Sequence, residues 1–309
     1  MSNQSIESIV AATDLSPACD PVLQAAGVIA RMTGAALHVI HAFDFPPSPY
    51  LDARAGEATF PARITSARLA LQAQVQRTVP AEVAVAEQRI EIYAAHRAIA
   101  ELAEAVGAGL VVIGPHTHEG LEAGLLGSTA DRLIRTLHAP CLIVRGDFVL
   151  PLRRVLVPVD LSEAARPALE TALRWAGMLG RSRHLPSGKT EVSVVHVVPR
   201  LADLPEVPFD HATVAPGVNR EVEEAFRAAG APAHVVVHEE VIWGERPADE
   251  IVGLAQREWV DLVVVATHGH GALARALVGS TASAIARRAP CPVLLVPPHL
   301  WLRPPRGGE

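Results

Sequence analysis

Short, largely apolar runs alternate along this chain with longer stretches whose apolar residues fall three and four positions apart. Runs of the first kind are Ser8–Ala12, Ala36–Ala42, Leu110–Gly114, Cys141–Val144, Arg154–Val159, Val192–Val198, Leu262–Ala266 and Val293–Val296. Strands buried on both faces read this way. Val83–Ile92 alternates, and Ala233–Ile242 completes a set of ten strands. The intervening spacing predicts helices over Pro17–Met32, from about Arg63 to Pro80, and over Ala94–Val106, Ser128–Leu137, Glu163–Leu179, Asn219–Ala229 and Pro247–Glu258, with another from Ser280. Ser16 is placed to cap the first helix, with Pro17 at its first position. Phe43–Pro61 and Pro199–Gly217 carry several prolines and read as loops, and 298–309 reads as a loose tail.

The pattern is written twice. Leu110–Val144 and Leu262–Val296 share a strand, a Gly/His-rich loop, a Gly-Ser-Thr-Ala and a helix at a constant offset of 152. Ile9–Ser16 returns as Val155–Ser162, and Leu37–Ala42 as Val192–Val197, with length changes confined to the connections. Repeats this long are duplicated domains, expected here at 5–146 and 153–297. Strand and helix in strict alternation predict an α/β fold. It is made of two tandem doubly wound domains, each a five-stranded parallel sheet with helices on both faces. Ligands of such sheets sit beyond the carboxyl ends of the strands, where the strand order reverses. The ends of strands one and four flank that point, and the chemically suggestive residues follow those two strands.

Composition narrows the chemistry. Half the residues are hydrophobic but only 4% are aromatic, so the core is aliphatic. A net charge of −6 without a Lys/Arg cluster argues against a nucleic-acid partner. No apolar run approaches the ~20 residues that span a bilayer, so no membrane partner is expected. Cys19, Cys141 and Cys291 are far apart and form no CxxC, as expected of reduced, buried thiols in the cytoplasm. The N-terminus shows no secretory signal pattern.

In the second half, Ala266-Thr267-His268-Gly269-His270-Gly271 leaves strand four and Gly279-Ser280-Thr281 opens the next helix. Small residues let the backbone approach a phosphate, and a helix N-terminus supplies amide donors to it. An ordinary turn with an N-cap is the plainer reading of one such copy. Two copies, each with an aspartate after strand one, Asp14 and Asp160, favour an anion site. Those aspartates suit a ribose hydroxyl or a divalent cation bridging phosphates. The pairs His116/His118 and His268/His270, with His41 and His196, could ligate zinc, but no third ligand is evident, and loop hydrogen bonding is the default. No Gly-x-Ser-x-Gly, Walker or early Gly-x-Gly-x-x-Gly motif is present, and no catalytic residue is assigned.

On these motifs the chain resembles a tandem universal stress protein over nearly all of residues 5–297. Nucleotide-binding members carry G-x-x-G, nine residues, then G-[S/T]. Here Gly269 and Gly279-Ser280 match with Ala266 in place of the first Gly, and Gly114 and Gly127-Ser128 match with Thr117 in place of the second. The resemblance implies the adenine nucleotide alpha hydrolase-like fold, with a flavodoxin-like strand order. It also implies ATP with Mg2+ held through the phosphates. The contacts implied in the second half are Pro158, Val159, Asp160, Val197, Ala266, His268, Gly269, Gly271, Gly279, Ser280 and Thr281. In the first half they are Thr13, Asp14, Ala42, Gly114, Gly127, Ser128 and Thr129. Asp14 and Asp160 would contact ribose or metal, and Ala42 and Val197 would line the adenine pocket. Pro115 removes an amide from the first loop, so the second site is expected to bind better. The expected role is regulatory, in stress response, with an unidentified protein partner. The two domains would form a pseudo-dimer within the chain, and two chains could pair further. A slow ATPase or nucleotidyl transferase and a nucleotide-free scaffold are the competing readings.

Overall fold

The computed structural model describes residues 6–43, 59–114, 127–180, 188–199, 211–230, 233–267 and 278–298. Its contacts divide into two compact units that part between Asp147 and Phe148. The first runs β1 (Ser8–Ala12), α1 (Asp20–Thr33), β2 (Ala36–Ala42), α2 (Thr59–Thr78), β3 (Val85–Glu91), α3 (Ala95–Ala105), β4 (Leu110–Ile113), α4 (Ser128–Thr136) and β5 (Cys141–Ile143). The second runs β6 (Arg154–Val159), α5 (Arg166–Leu179), β7 (Thr190–Pro199), α6 (His211–Ala229), β8 (Val235–Gly244), α7 (Pro247–Arg257), β9 (Leu262–Ala266), α8 (Ser280–Arg288) and β10 (Val293–Val296).

Within each unit the strands pair in parallel, in the orders β3-β2-β1-β4-β5 and β8-β7-β6-β9-β10. The doubly wound α/β class is as expected. The central strand has its second and fourth partners on either side, because the connection after the third strand crosses over the first. This 3-2-1-4-5 order differs from the flavodoxin order 2-1-3-4-5, and it puts the reversal between β1 and β4 and between β6 and β9.

The central strands are buried along their length. Ile9, Val10, Ala11, Leu110, Val111 and Val112 are all closed to solvent, as are Leu156, Val157, Leu262, Val263 and Val264. Helix α1 presents Val22, Leu23, Ala26, Ile29 and Ala30 to this layer, the stripe its spacing predicts.

Two loop expectations give way to helix. Helix α2 begins at Thr59, so Pro61 falls in its first turn, where no intrahelical amide bond is lost. Helix α6 begins at His211 inside the expected Pro199–Gly217 loop and carries Pro216 in its interior. Val218, Val222 and Ala225 form one buried stripe on it, and their packing outweighs the lost hydrogen bond.

A polar contact joins the first two helices of each unit, with opposite sense. Asp20 at the start of α1 pairs with Arg77 of α2 at 2.8 Å. At the matching start of α5, Arg166 pairs with Glu221 at 3.5 Å and with Glu224. The carboxylate and the guanidinium have exchanged helices.

Candidate functional site

The carboxyl ends of β1 and β2, the end of β4 and the start of α4 enclose a cleft of about 830 Å³ in the first unit. Thr13, Asp14, Ala42, Gly114, Gly127 and Thr129 line it, together with His41, Phe43, Cys19, Ala95 and Ile99. Six of the seven first-half residues expected from sequence thus meet in one place. Ser128 lies beside them, at the first position of α4.

Each half bends its chain sharply after the aspartate. The Ser16 amide donates to Asp14 Oδ1 at 2.8 Å. In the second half the Ser162 amide and hydroxyl donate to Asp160 Oδ1 at 3.1 and 2.6 Å. The residue inside each turn is a leucine in the left-handed region, Leu15 at φ 69 and Leu161 at φ 61. A bulky side chain there costs about 1–3 kcal/mol, and such strain persists where surrounding structure enforces it and often marks a working site. Its occurrence at the same place in both halves makes it a feature of the design.

A histidine clasp holds the strand ends above each turn. His41 Nδ1 donates to the Thr13 carbonyl at 2.9 Å, and His196 Nδ1 to the Val159 carbonyl at 2.8 Å. A carbonyl only accepts, so each ring carries its proton on Nδ1. The His41 ring also packs edge-on against Phe43, with centroids 4.9 Å apart. Burial lowers the His41 pKa below its ordinary 6.5, against the opposing pull of the Thr13 carbonyl and the Asp14 charge. The unfolded chain therefore binds the extra proton first as pH falls. Stability from this group is complete above about pH 6.5 and is lost on acidification below it. A His41→Gln variant should lose less stability than wild type between about pH 7.5 and 5.5 in urea titrations. Equal losses would refute the assignment.

Glycine stands at the N-cap of both α4 and α8, and among the described residues no side chain caps either start. The first intrahelical bonds are Asp131 amide to Gly127 carbonyl at 2.9 Å and Ser283 amide to Gly279 carbonyl at 3.0 Å. The amides of Ser128, Thr129 and Ala130, and of Ser280, Thr281 and Ala282, are left without an intrahelical acceptor. Three convergent N–H groups at the positive end of a helix make an anion site. The Gly279 amide is not among them, because it donates to the Thr267 carbonyl at 2.8 Å. That narrows the expectation that Gly279, Ser280 and Thr281 all donate, and it adds Ala282.

A family model for the universal stress protein family matches residues 5–145 and 151–297. The chain belongs to that family. It is 29% identical over 147 residues to universal stress protein MJ0531 of Methanocaldococcus jannaschii, covering 47% of this chain and 81% of that protein. It is 30% identical over 194 residues to universal stress protein Rv2005c of Mycobacterium tuberculosis and spans 61% of that protein's length. A crystal structure of a universal stress protein from Archaeoglobus fulgidus superposes with a TM-score of 0.64 at 22% identity, covering 96% of this chain and 99% of that one. That likeness speaks for the fold.

The universal stress fold places Pro158, Val159 and Asp160 at the end of β6, Val197 near the end of β7, and Ala266 at the end of β9. Gly279, Ser280 and Thr281 open α8 beside them in sequence order, as Gly127, Ser128 and Thr129 open α4. Strands β6 and β9 stay in register over two residue pairs, against three for β1 and β4. The proline at 158 has no amide to extend the ladder. His268, Gly269 and Gly271 lie outside the described residues, as do Pro115, His116, Thr117, His118 and His270. Among the described residues no group of three or more His, Cys, Asp or Glu side chains is placed to hold a metal ion. No described helix is long and apolar enough to cross a membrane. The three cysteines are buried thiols that form no disulfide, and burial pushes the Cys19 thiol up to about 12.

Sequence reasoning missed the left-handed leucines, the clasp and Gln74. The repeated strand-two histidine was a signal for the clasp, while leucine carries no preference for positive φ. Gln74 had no signal, since its partners lie 54 to 61 residues away.

Proposed function

We propose that this universal stress protein binds adenine nucleotide, ATP with a divalent cation, in the crevice at the strand-order reversal. In this reading it acts as a regulatory module of the stress response in the cytoplasm. The observation that carries the reading is the duplicated pair of parts: a glycine-capped helix start whose first three amides have no acceptor within the helix, and a strained aspartate turn at the end of the central strand. The amides suit the phosphates, and the aspartate suits a ribose hydroxyl or the cation. The first-half cleft lies in the 300–1,000 Å³ range typical of small-ligand sites, at about 830 Å³. Thiols that form no disulfide agree with a reducing compartment. Binding rather than turnover is the proposed activity.

Calorimetry with Mg·ATP on the full chain tests this. Asp160→Ala and Asp14→Ala should each remove one charged hydrogen bond from their own half. Each loss is worth ~1.5–3 kcal/mol, or roughly ten- to a hundred-fold in that half's affinity. Wild-type protein that takes up no ATP would sink the proposal and favour a nucleotide-free scaffold.

A further inference from the structure

We propose that Gln74 is a positioning residue for the Asp14 turn, tying the first-half cleft to helix α2 through a relay that the second half does not share. The inference rests on the reading of that cleft as a ligand site.

Thr13, the residue before Asp14, is buried, and so is Gln74. The Thr13 hydroxyl accepts from the Leu15 amide at 3.0 Å and donates to Gln74 Oε1 at 2.8 Å. Gln74 Nε2 donates in turn to the Ser16 carbonyl at 3.0 Å and to Asp20 Oδ1 at 2.8 Å. Asp20 receives the Arg77 guanidinium at both carboxylate oxygens. One amide of α2 therefore holds the turn on both sides of its strained leucine, and the chain of bonds ends at an ion pair on the surface. Every polar atom of Gln74 is used, and a buried network that is fully satisfied fixes a single geometry.

The second half solves the same problem locally. Val159 stands where Thr13 does and has no hydroxyl, and Asp160 Oδ1 is held from within its own turn by Ser162. The first cleft therefore depends on where α2 sits, and α2 depends on the cleft. By linkage, a ligand that orders the Asp14 turn tightens α2, and a partner that displaces α2 loosens the ligand.

Cys19 reports on the turn without any ligand. It is buried against Asp14 at the cleft, whereas Cys141 is buried in β5 of the same unit. Peptide-resolved alkylation of both thiols in the full chain is the test. Gln74→Leu and Thr13→Val should each raise the Cys19 rate by about ten-fold, the double variant should go no further, and Thr13→Ser should restore the wild-type rate. The Cys141 rate should not change. An unchanged Cys19 rate in Gln74→Leu, or Cys19 and Cys141 rising together, would overturn the positioning role. Mg·ATP should slow Cys19 labelling in wild type. If the variant pattern holds without that protection, Gln74 keeps its role and the nucleotide reading of this half fails instead.

Discussion

Gly279→Ala should lower ATP affinity in the second half by at least about ten-fold, and Gly279→Val should abolish it. The half itself should stay within about 0.5 kcal/mol of wild-type stability. Gly279 has φ −55 and ψ 142, which any residue adopts. Among the described residues, a Cβ built there meets only the Thr267 carbonyl oxygen, at an ordinary 3.6 Å. The described residues therefore make no demand for glycine at this position, and alanine would even restrict the unfolded chain. The Gly279 amide is already committed to Thr267, so the residue's service to a ligand is space. A phosphate seated on the Ser280, Thr281 and Ala282 amides would press against whatever side chain stood there. Calorimetry beside thermal denaturation separates the two effects. Unaltered affinity in the valine variant would show that no phosphate approaches α8.

Gly180→Ala should have the opposite profile, a loss of stability in the second unit of about 2–3 kcal/mol with ATP binding in the first unit unchanged. A Cβ at this position would overlap the Thr190 hydroxyl and the Ala176 carbonyl. Neither can retreat. Thr190 is fully buried, and its hydroxyl donates to the Leu152 carbonyl at 2.9 Å. The Leu152 amide donates in turn to the Leu179 carbonyl at 3.0 Å. The end of α5, the segment before β6 and the start of β7 are thus locked around a position with room only for hydrogen. Urea unfolding of the full chain, followed by tryptophan fluorescence to which the buried Trp175 of α5 contributes, would register the loss. A midpoint equal to wild type would show that the node yields.

The strands were legible almost to the residue where both faces are buried, as in Ser8–Ala12, Ala36–Ala42, Leu262–Ala266 and Val293–Val296. A parallel sheet under helices demands unbroken apolar runs, and short runs leave little freedom in their ends. Helix α6 was legible over Asn219–Ala229, and only its opening from His211 was hidden, because Pro216 argues locally for a loop while the packing of Val218 acts only once the fold is formed. The candidate site was legible where it is duplicated: Asp14 with Asp160, and Gly127 with Gly279. The backbone strain at Leu15 and Leu161 was not, since leucine carries no preference for positive φ. Nor was Gln74, because a glutamine on a helix looks solvated until its partners arrive from another part of the chain.

A chain that encodes one architecture twice invites its segments to assemble with the wrong sibling while they fold. The exchanged charges at the base of the leading helices work against that error. Were α1 to settle on α6, Asp20 would face Glu221 and Glu224. Were α5 to settle on α2, Arg166 would confront Arg77. Each such pair is weak at the surface, yet a mismatch turns attraction into repulsion at two places at once, and discrimination depends on that difference. Gene duplication supplied two copies of one blueprint, and a reversal of sign at a single joint gives each copy a way to recognise its own parts.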